Sequence, residues 1–156
     1  MKIIISMNKT MDNVLKEHKF DPIKGIGNSS LNRLSNNSII HYFPDVDCFL
    51  YDAAYKSFSA FYDTSTRNEW SNNRVWFFVE NSYKDALKKA FRFSYMTVRR
   101  LLEFKESFTI SLWDPQDAIS EIGVTFYSNR YGFQDVELED IHNYSCPFLR
   151  ISISPD

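Results

Sequence analysis

The chain has 156 residues, of which 44% are hydrophobic and 24% charged, so it can bury a core and does not have the composition of a disordered segment. It contains no apolar run near the roughly 18 residues of a membrane span and no apolar N-terminal signal sequence, so we expect a cytoplasmic protein. The length predicts one domain over residues 1–156, and the net charge of −2 argues against a general nucleic-acid binder.

The first half of the chain predicts short elements separated by polar loops. Residues 3–6 predict a strand, and Thr10 is expected to cap a helix that ends at Lys19. Residues 38–43 predict a strand that stops at Pro44, and an apolar stripe over residues 45–62 predicts a helix capped by Asp45 or Asp47. Polar segments with Asn, Ser or Gly predict loops at residues 21–30, 35–38 and 63–73. The aromatic residues in 57–62 also favour a strand, and that alternative stays open.

The middle of the chain contains the clearest strand and the clearest helix. Residues 74–80 are β-branched or aromatic on both faces, which predicts a central strand. Residues 82–104 predict a long helix capped by Ser82. Its outer face carries four basic side chains at roughly helical spacing: Lys84, Lys88, Arg92 and Arg99.

In the last third the apolar period changes from 3.6 to 2. This pattern predicts antiparallel strands at residues 107–113, 122–128, 133–138 and 147–153. The predicted fold is therefore α+β, with an antiparallel sheet of about four to six strands and the helix 82–104 packed on one face. A strand over residues 133–139 would place Asp135, Glu137 and Glu139 together on its solvent face.

No catalytic signature is found in the sequence. Asp45, Asp47 and Asp52 could hold a divalent metal in a small hydrolase, but two aspartates after Pro44 are also typical of helix capping. Cys48 and Cys146 are expected to be free thiols, because two cysteines do not make a disulfide framework. We therefore expect no metal, no cofactor and no enzymatic activity.

The charges are unevenly distributed along the chain. Residues 79–105 contain seven basic and three acidic side chains, whereas residues 106–156 contain two basic and nine acidic ones. The basic face of the long helix would suit a phosphate backbone, which leaves a nucleic-acid-binding module as an alternative function. Its positive charge could equally be a solvated helix face or pair with acids of the sheet.

The acidic C-terminal third also contains many aromatic residues. Carboxylates beside aromatic anchors are typical of a protein-binding surface that faces a basic partner, although charges on a strand also protect an edge from aggregation. The predicted partner-binding residues are Trp113, Asp117, Glu121, Tyr131, Phe133, Asp135, Glu137, Glu139 and Asp140.

With this acidic patch, and with an Asn- and Phe-rich α+β composition lacking a catalytic set, the chain resembles a bacterial immunity protein of contact-dependent growth inhibition or a related polymorphic toxin system. The resemblance extends over the whole chain and rests on its general character rather than on a defining motif. It implies a stable cytosolic protein that binds and occludes one cognate toxin domain, often a nuclease, and performs no chemistry of its own.

Overall fold

A computed structural model of the protein describes residues 1–22, 39–135 and 138–156, with the side chains of residues 138 and 139 excepted. A five-stranded antiparallel sheet has the strand order β1-β7-β5-β6-β4, and a separate two-stranded sheet pairs β2 with β3. The strands are β1 (Lys2–Met7), β2 (Ile40–Phe43), β3 (Cys48–Tyr51), β4 (Val75–Phe78), β5 (Phe108–Trp113), β6 (Glu121–Ser128) and β7 (Phe148–Ser154). The α-helices are α1 (Lys9–Glu17), α2 (Asp52–Lys56), α3 (Ser65–Asn72) and α4 (Tyr83–Leu101).

Helix α4 confirms the long helix predicted from periodicity and capping. The Ser82 side chain accepts a hydrogen bond from the backbone N–H of Asp85 at 3.1 Å, and Arg99 and Arg100 lie in the last turn, where cations suit the helix dipole. Its buried stripe, which includes Leu87 and Phe91, contributes to the same core cluster as the sheet. The predicted α+β fold with a long helix on an antiparallel sheet is therefore confirmed.

Alternation along the strands gives the five-stranded sheet two different faces. The inner face belongs to the core cluster that includes α4, and its β5 residues are Phe108, Ile110 and Leu112. The outer face holds the side chains of alternate residues, including the buried Ser111, Thr125 and Tyr127. Helix α3 lies near β6 on the outer face, because the Thr125 hydroxyl donates to the carbonyl of Trp70 at 2.7 Å. This outer face is therefore polar and aromatic rather than aliphatic.

The helix predicted over residues 45–62 is wrong. The chain instead turns at residues 44–47 and returns as β3, with Phe43 opposite Cys48. Asp47 adopts a left-handed φ of 51°, which aspartate tolerates better than most residues, so the tight turn is possible. Only the short helix α2 follows, and residues 57–62 form neither the helix nor the alternative strand.

The loop predicted over residues 63–73 is also wrong, because residues 65–72 form α3. Several polar side chains of α3 and its C-cap residue Asn73 are buried and bind backbone groups of neighbouring segments: the amide of Asn73 donates to the carbonyl of Phe49 at 2.9 Å. Two smaller corrections concern neighbouring elements. Helix α1 is capped by Asn8 rather than Thr10, and β4 is an edge strand rather than a central one.

The strand predicted over residues 133–138 is wrong for the part of it that the structure describes. Residues 133–135 are not in a strand, and Leu138–Asn143 forms a 3-10 helix. The reason is the Asp135 side chain, which turns towards the sheet and binds Tyr127 and Arg150. Residues 136–137, most of the predicted loop 21–30 and the whole of 35–38 lie outside the described residues.

Both cysteines are free thiols, as predicted. Cys48 is buried, and burial raises the pKa of its thiol to about 12, so the thiol stays protonated at neutral pH. Within the described ranges, no helix has the length and apolar character needed to cross a membrane.

Candidate functional site

All three tryptophans of the chain line one cavity on the outer face of the sheet. The cavity has a volume of about 190 Å³. We call it the tryptophan cup; its lining residues are Trp70, Arg74, Trp76, Trp113, Asp135, Tyr144 and Phe148. Trp113 and Asp135 are partner-binding residues predicted from the sequence, and the structure places them at the same site.

A glycine in β6 makes room for the ring of Trp113. Gly123 lies opposite Trp76 of β4 on one side and opposite Trp113 of β5 on the other. A Cβ atom at Gly123 would lie 2.7 Å from the Trp113 ring, so only glycine permits this packing without a shift. The rings of Trp76 and Trp113 meet edge to face, with centroids 5.3 Å apart, which is a favourable aromatic geometry.

Arg74 supplies a cation without a hydrogen-bonded partner in the described part of the chain. Its guanidinium carbon lies 4.0 Å from the centroid of the Trp70 ring, within range of a cation–π interaction. Its Nε atom is buried and has no hydrogen-bond partner there. Burial lowers the pKa of Arg74, but arginine starts so high that the side chain stays charged at neutral pH.

The carboxylate of Asp135 is neutralised inside the chain. Arg150 donates to its Oδ1 atom at 2.9 Å, and the hydroxyl of Tyr127 donates to the same atom at 2.9 Å. The Asp135 and Arg150 side chains are only 5% and 4% exposed. Burial also raises the pKa of Tyr127, so the phenol keeps its proton and remains a donor. Asp135 therefore shapes the floor of the cup and is not part of a solvent-exposed acidic face.

Three other predicted acids lie on segments that adjoin the cup. Glu121 is two residues from Gly123 in β6 and so faces the same side of the sheet. Asp117 is exposed in the connection that follows Trp113. Asp140 is exposed in the 3-10 helix, and its carbonyl accepts the backbone N–H of Tyr144 at 3.0 Å. Glu137 and the Glu139 side chain lie outside the described residues.

The two remaining predicted aromatics occupy different places. Phe133 packs behind the cup, with its ring centroid 5.8 Å from that of Trp70. Tyr131 belongs to a separate cluster, where its hydroxyl donates to Asp47 at 2.6 Å. Phe133 therefore supports the cup, whereas Tyr131 does not line it.

The cluster around Asp47 is a network of charged and polar groups held by Arg130. The guanidinium of Arg130 donates to the Asp47 carboxylate at 2.7 Å and to the fully buried Glu69 carboxylate at 2.8 Å. Hydrogen bonds from the hydroxyls of Tyr131 and Tyr42 lower the pKa of Asp47, and the contribution of Tyr131 is the larger. The Asp47 carboxylate is thus surrounded by donors, as in a structural ion pair.

The metal hydrolase considered from the sequence would need Asp45, Asp47 and Asp52 to converge. Instead, Asp45 accepts a hydrogen bond from Tyr55 at 2.7 Å, and Asp52 lies 3.4 Å from His41. In the part of the chain that the structure describes, no group of three or more His, Cys, Asp or Glu side chains could hold a metal ion.

The basic face of α4 lies on the outside of the helix, as predicted. Lys88, Arg92 and Arg99 are exposed, and Lys84 is partly exposed. A cavity of about 280 Å³ contains Lys88 and Arg92 together with the exposed Phe78, but its lining also includes Glu80 and Asp85. Within the described ranges, Lys84, Lys88 and Arg92 form no ion pair, so acids of the sheet do not neutralise them through direct contacts.

Sequence reasoning missed Trp70, Arg74 and Trp76 as members of the site. Trp70 lies in the segment that was predicted to be a loop, and Trp76 lies in a strand that was predicted to be buried on both faces. No family model, no curated protein and no solved structure matches the chain.

Proposed function

We propose that the protein is an immunity protein that binds and occludes a cognate bacterial toxin domain, with the tryptophan cup at the centre of the interface. The observation that supports this proposal is the convergence of three tryptophans, Tyr144 and Arg74 on one cavity. Tryptophan, tyrosine and arginine are the residue types enriched at the energetic centres of protein–protein interfaces.

The exposure of the cup residues fits an interface rather than a core. The three tryptophans are partly exposed, and Tyr144 is exposed. A buried aromatic side chain removes about 150–250 Å² from water, so covering these rings would supply a strong apolar contribution to binding. A partner residue that enters the cup would meet flat aromatic walls with a cation at one side and a neutralised carboxylate at the floor.

The acids beside the cup predict a basic partner. Asp117, Glu121 and Asp140 lie on segments that lead into or out of cup residues, whereas the charge of Asp135 is already compensated by Arg150. Acidic groups at the rim of an interface speed association with a cationic partner and reject acidic competitors. A toxin nuclease has a cationic cleft for phosphates, and carboxylates at the rim would take the place of those phosphates.

The test begins with capture of a partner from a lysate of the source organism, with the tagged 156-residue chain as bait. The captured polypeptide is then purified and its affinity is measured for the wild type, for Trp113→Ala and for Phe61→Ala. Phe61 is a matched control because it is an aromatic residue that is 70% exposed and lies outside the cup. We expect Trp113→Ala to weaken binding by about 2 kcal/mol or more and Phe61→Ala to leave it unchanged. Equal affinities of all three proteins would contradict the cup as the interface.

A nucleic-acid-binding module remains a second candidate because of one observation on α4. Phe78 is 55% exposed and shares a cavity with Lys88, Lys89 and Arg92, so an aromatic ring lies beside three cations. This arrangement could stack a base and hold a phosphate. The measurement is fluorescence anisotropy with single-stranded RNA of mixed sequence. Binding that weakens with salt and is lost in Lys88→Glu would favour this candidate over the immunity function.

A further inference from the structure

Strand β1 forms one edge of the five-stranded sheet, and β7 is its only neighbour among the described strands. The backbone N–H of Asn8, directly after β1, donates to the carbonyl of Phe148 at 3.1 Å. Hydrogen bonding alternates along an antiparallel pair, so the register makes the even-numbered residues of β1 the ones that bond to β7. The residues whose backbone N–H and C=O groups point away from the sheet are Ile3, Ile5 and Met7. This edge therefore offers a row of backbone donors and acceptors to a further strand.

The free edge of β1 is apolar on both faces of the sheet. Ile3 lies opposite Ile153 on the core side and is still 48% exposed, and Ile4 lies on the outer face and is 44% exposed. The strand has six residues without proline or glycine, and its only charged side chain is Lys2 at its first position. Edge strands are usually protected by shortness, charges, prolines or bulges, and β1 has little of this protection.

The opposite edge of the sheet differs from β1 in length. Strand β4 has only four residues, and a short edge strand is one of the devices that limit pairing with another chain. Each copy of the chain thus has one edge that is well suited to pairing. Pairing of two such edges closes at a dimer and does not continue into a fibre.

We propose that two copies of the chain associate by antiparallel pairing of their β1 strands about a two-fold axis at Ile4. Two identical edges paired in this way form a self-complementary contact. The outward backbone groups of Ile3 then bond to those of Ile5 in the second copy, and Ile4 faces the same residue of that copy. The two five-stranded sheets become one continuous sheet.

The axis at Ile4 is chosen by the side chains that it brings together. An axis at Ile5 would set Ile4 against Ser6, and an axis at Ile3 would set it against Lys2. The axis at Ile4 covers the exposed isoleucines with one another instead. It also separates the two Lys2 residues by four positions, about 13 Å along the strands, which exceeds the screening length of about 8 Å in physiological salt.

This contact is independent of the proposed immunity function. The two-fold axis is perpendicular to the joint sheet, so the outer faces of both copies, each with a tryptophan cup, lie on the same side. The dimer contact itself involves β1 and none of the residues that line the cup. It can therefore be tested without a toxin.

The experiment is sedimentation velocity of the 156-residue chain at increasing concentration. The series extends to about 200 μM, because one pair of strands buries less than the roughly 1,200–2,000 Å² of a standard stable interface. We expect the mass to rise with concentration from 18.4 kDa towards twice that value. Ile4→Lys should raise the dissociation constant of the dimer at least tenfold, because two ammonium groups replace two facing isoleucines. Ile119→Lys is the matched control, since Ile119 is 58% exposed and lies outside β1, and it should associate like the wild type.

Cysteine cross-linking tests the register. Ile4→Cys and Ile119→Cys are compared in a Cys146→Ser background with diamide as the oxidant. The Cβ atoms of facing residues in an antiparallel pair lie about 4.5–5.5 Å apart, close to the separation within a disulfide, so Ile4→Cys should form a covalent dimer much faster than Ile119→Cys.

Far-UV circular dichroism checks that each variant is folded, and the cross-linking comparison decides the question if Ile4→Lys does not fold. The proposal is overturned if the wild type stays monomeric at every concentration, which would leave the edge to a strand of another protein or to none. It is also overturned if the wild type forms species larger than a dimer, if Ile4→Lys associates like the wild type, or if the two cysteine variants cross-link at equal rates.

Discussion

Replacing Glu69 by alanine should cost a large part of the stability of this protein. The Glu69 side chain is 0% exposed. Its Oε1 atom accepts the backbone N–H of Phe49 at 2.9 Å and the Arg130 guanidinium at 2.8 Å, and its Oε2 atom accepts the backbone N–H of Ser128 at 2.6 Å. One carboxylate thus joins β3, α3 and the end of β6. Burial raises the pKa of Glu69, and the backbone donors and Arg130 oppose that effect.

The expected loss follows from the groups that the substitution leaves without an acceptor. Each buried N–H that loses its acceptor costs about 1–3 kcal/mol, and breaking a buried ion pair costs about 3–5 kcal/mol. Arg130 keeps Asp47 as a partner, so the total loss is smaller than the sum of the cost of the two N–H groups and the cost of the broken ion pair. We expect Glu69→Ala to lower the free energy of unfolding by about 4 kcal/mol, against a typical total of about 5–15 kcal/mol. Glu69→Gln retains one acceptor oxygen, so its free energy of unfolding should lie between those of the wild type and Glu69→Ala.

The assay is urea denaturation followed by far-UV circular dichroism and tryptophan fluorescence, with the slope of the transition compared between variants. Glu103→Ala is the matched control, because Glu103 also pairs with an arginine, Arg100 at 3.7 Å, but its side chain is 66% exposed. We expect the control to cost less than about 0.5 kcal/mol. A difference between the two variants below about 1 kcal/mol would refute the view that the buried carboxylate joins these elements.

Three further predictions concern the cup and the Asp47 cluster. Gly123→Ala should lower the free energy of unfolding in urea by about 1–3 kcal/mol and alter the tryptophan fluorescence, because the new methyl group displaces the Trp113 ring that packs on Gly123. An unchanged fluorescence spectrum would contradict this prediction. Arg150→Met should lower the free energy of unfolding by about 3–5 kcal/mol, because Asp135 stays buried without its cation. Adding Asp135→Asn should recover part of that loss. Strictly additive losses in a double-mutant cycle would argue against a buried ion pair. The hydroxyl of Tyr131 helps to hold the pKa of Asp47 below its ordinary value, so the stability that the Asp47 carboxylate contributes is present above about pH 4 and is lost as the pH falls further. Asp47→Asn should therefore flatten the decline of the unfolding free energy below that pH. Parallel curves of unfolding free energy against pH for the wild type and Asp47→Asn would contradict this prediction.

Local sequence signals were sufficient for the elements that have a clear period. Helix α4 combines an apolar stripe with a Ser82 cap, and β5, β6 and β7 alternate or carry β-branched runs, so their type was predicted correctly. The prediction for Cys48–Tyr51, a helix where the structure has a strand, was wrong because all four residues are buried. A short run buried on both faces is compatible with either a helix or a strand.

Long-range polar contacts explain the other errors. Helix α3 is rich in Asn and Ser and looks like a loop in sequence, but its buried polar groups bind the backbones of β3 and β6. Asp135 alternates with apolar residues as a solvent-facing strand residue would, yet Arg150 draws its carboxylate into the structure. Such partners are distant in sequence, so a local pattern does not reveal them. For the same reason, the sequence predicted Trp113 as a site residue but not the convergence of three tryptophans.

The most direct test of the proposed immunity function is a growth-rescue measurement with the partner captured by the tagged chain. The captured polypeptide is expressed from an inducible promoter in a bacterial host, together with the wild type, Trp113→Ala or Phe61→Ala at equal abundance. The proposed function predicts growth arrest without this chain, rescue by the wild type and Phe61→Ala, and loss of rescue by Trp113→Ala. A captured polypeptide that does not impair growth, or rescue by Trp113→Ala equal to that of the wild type, would contradict the claim that the cup occludes a toxin.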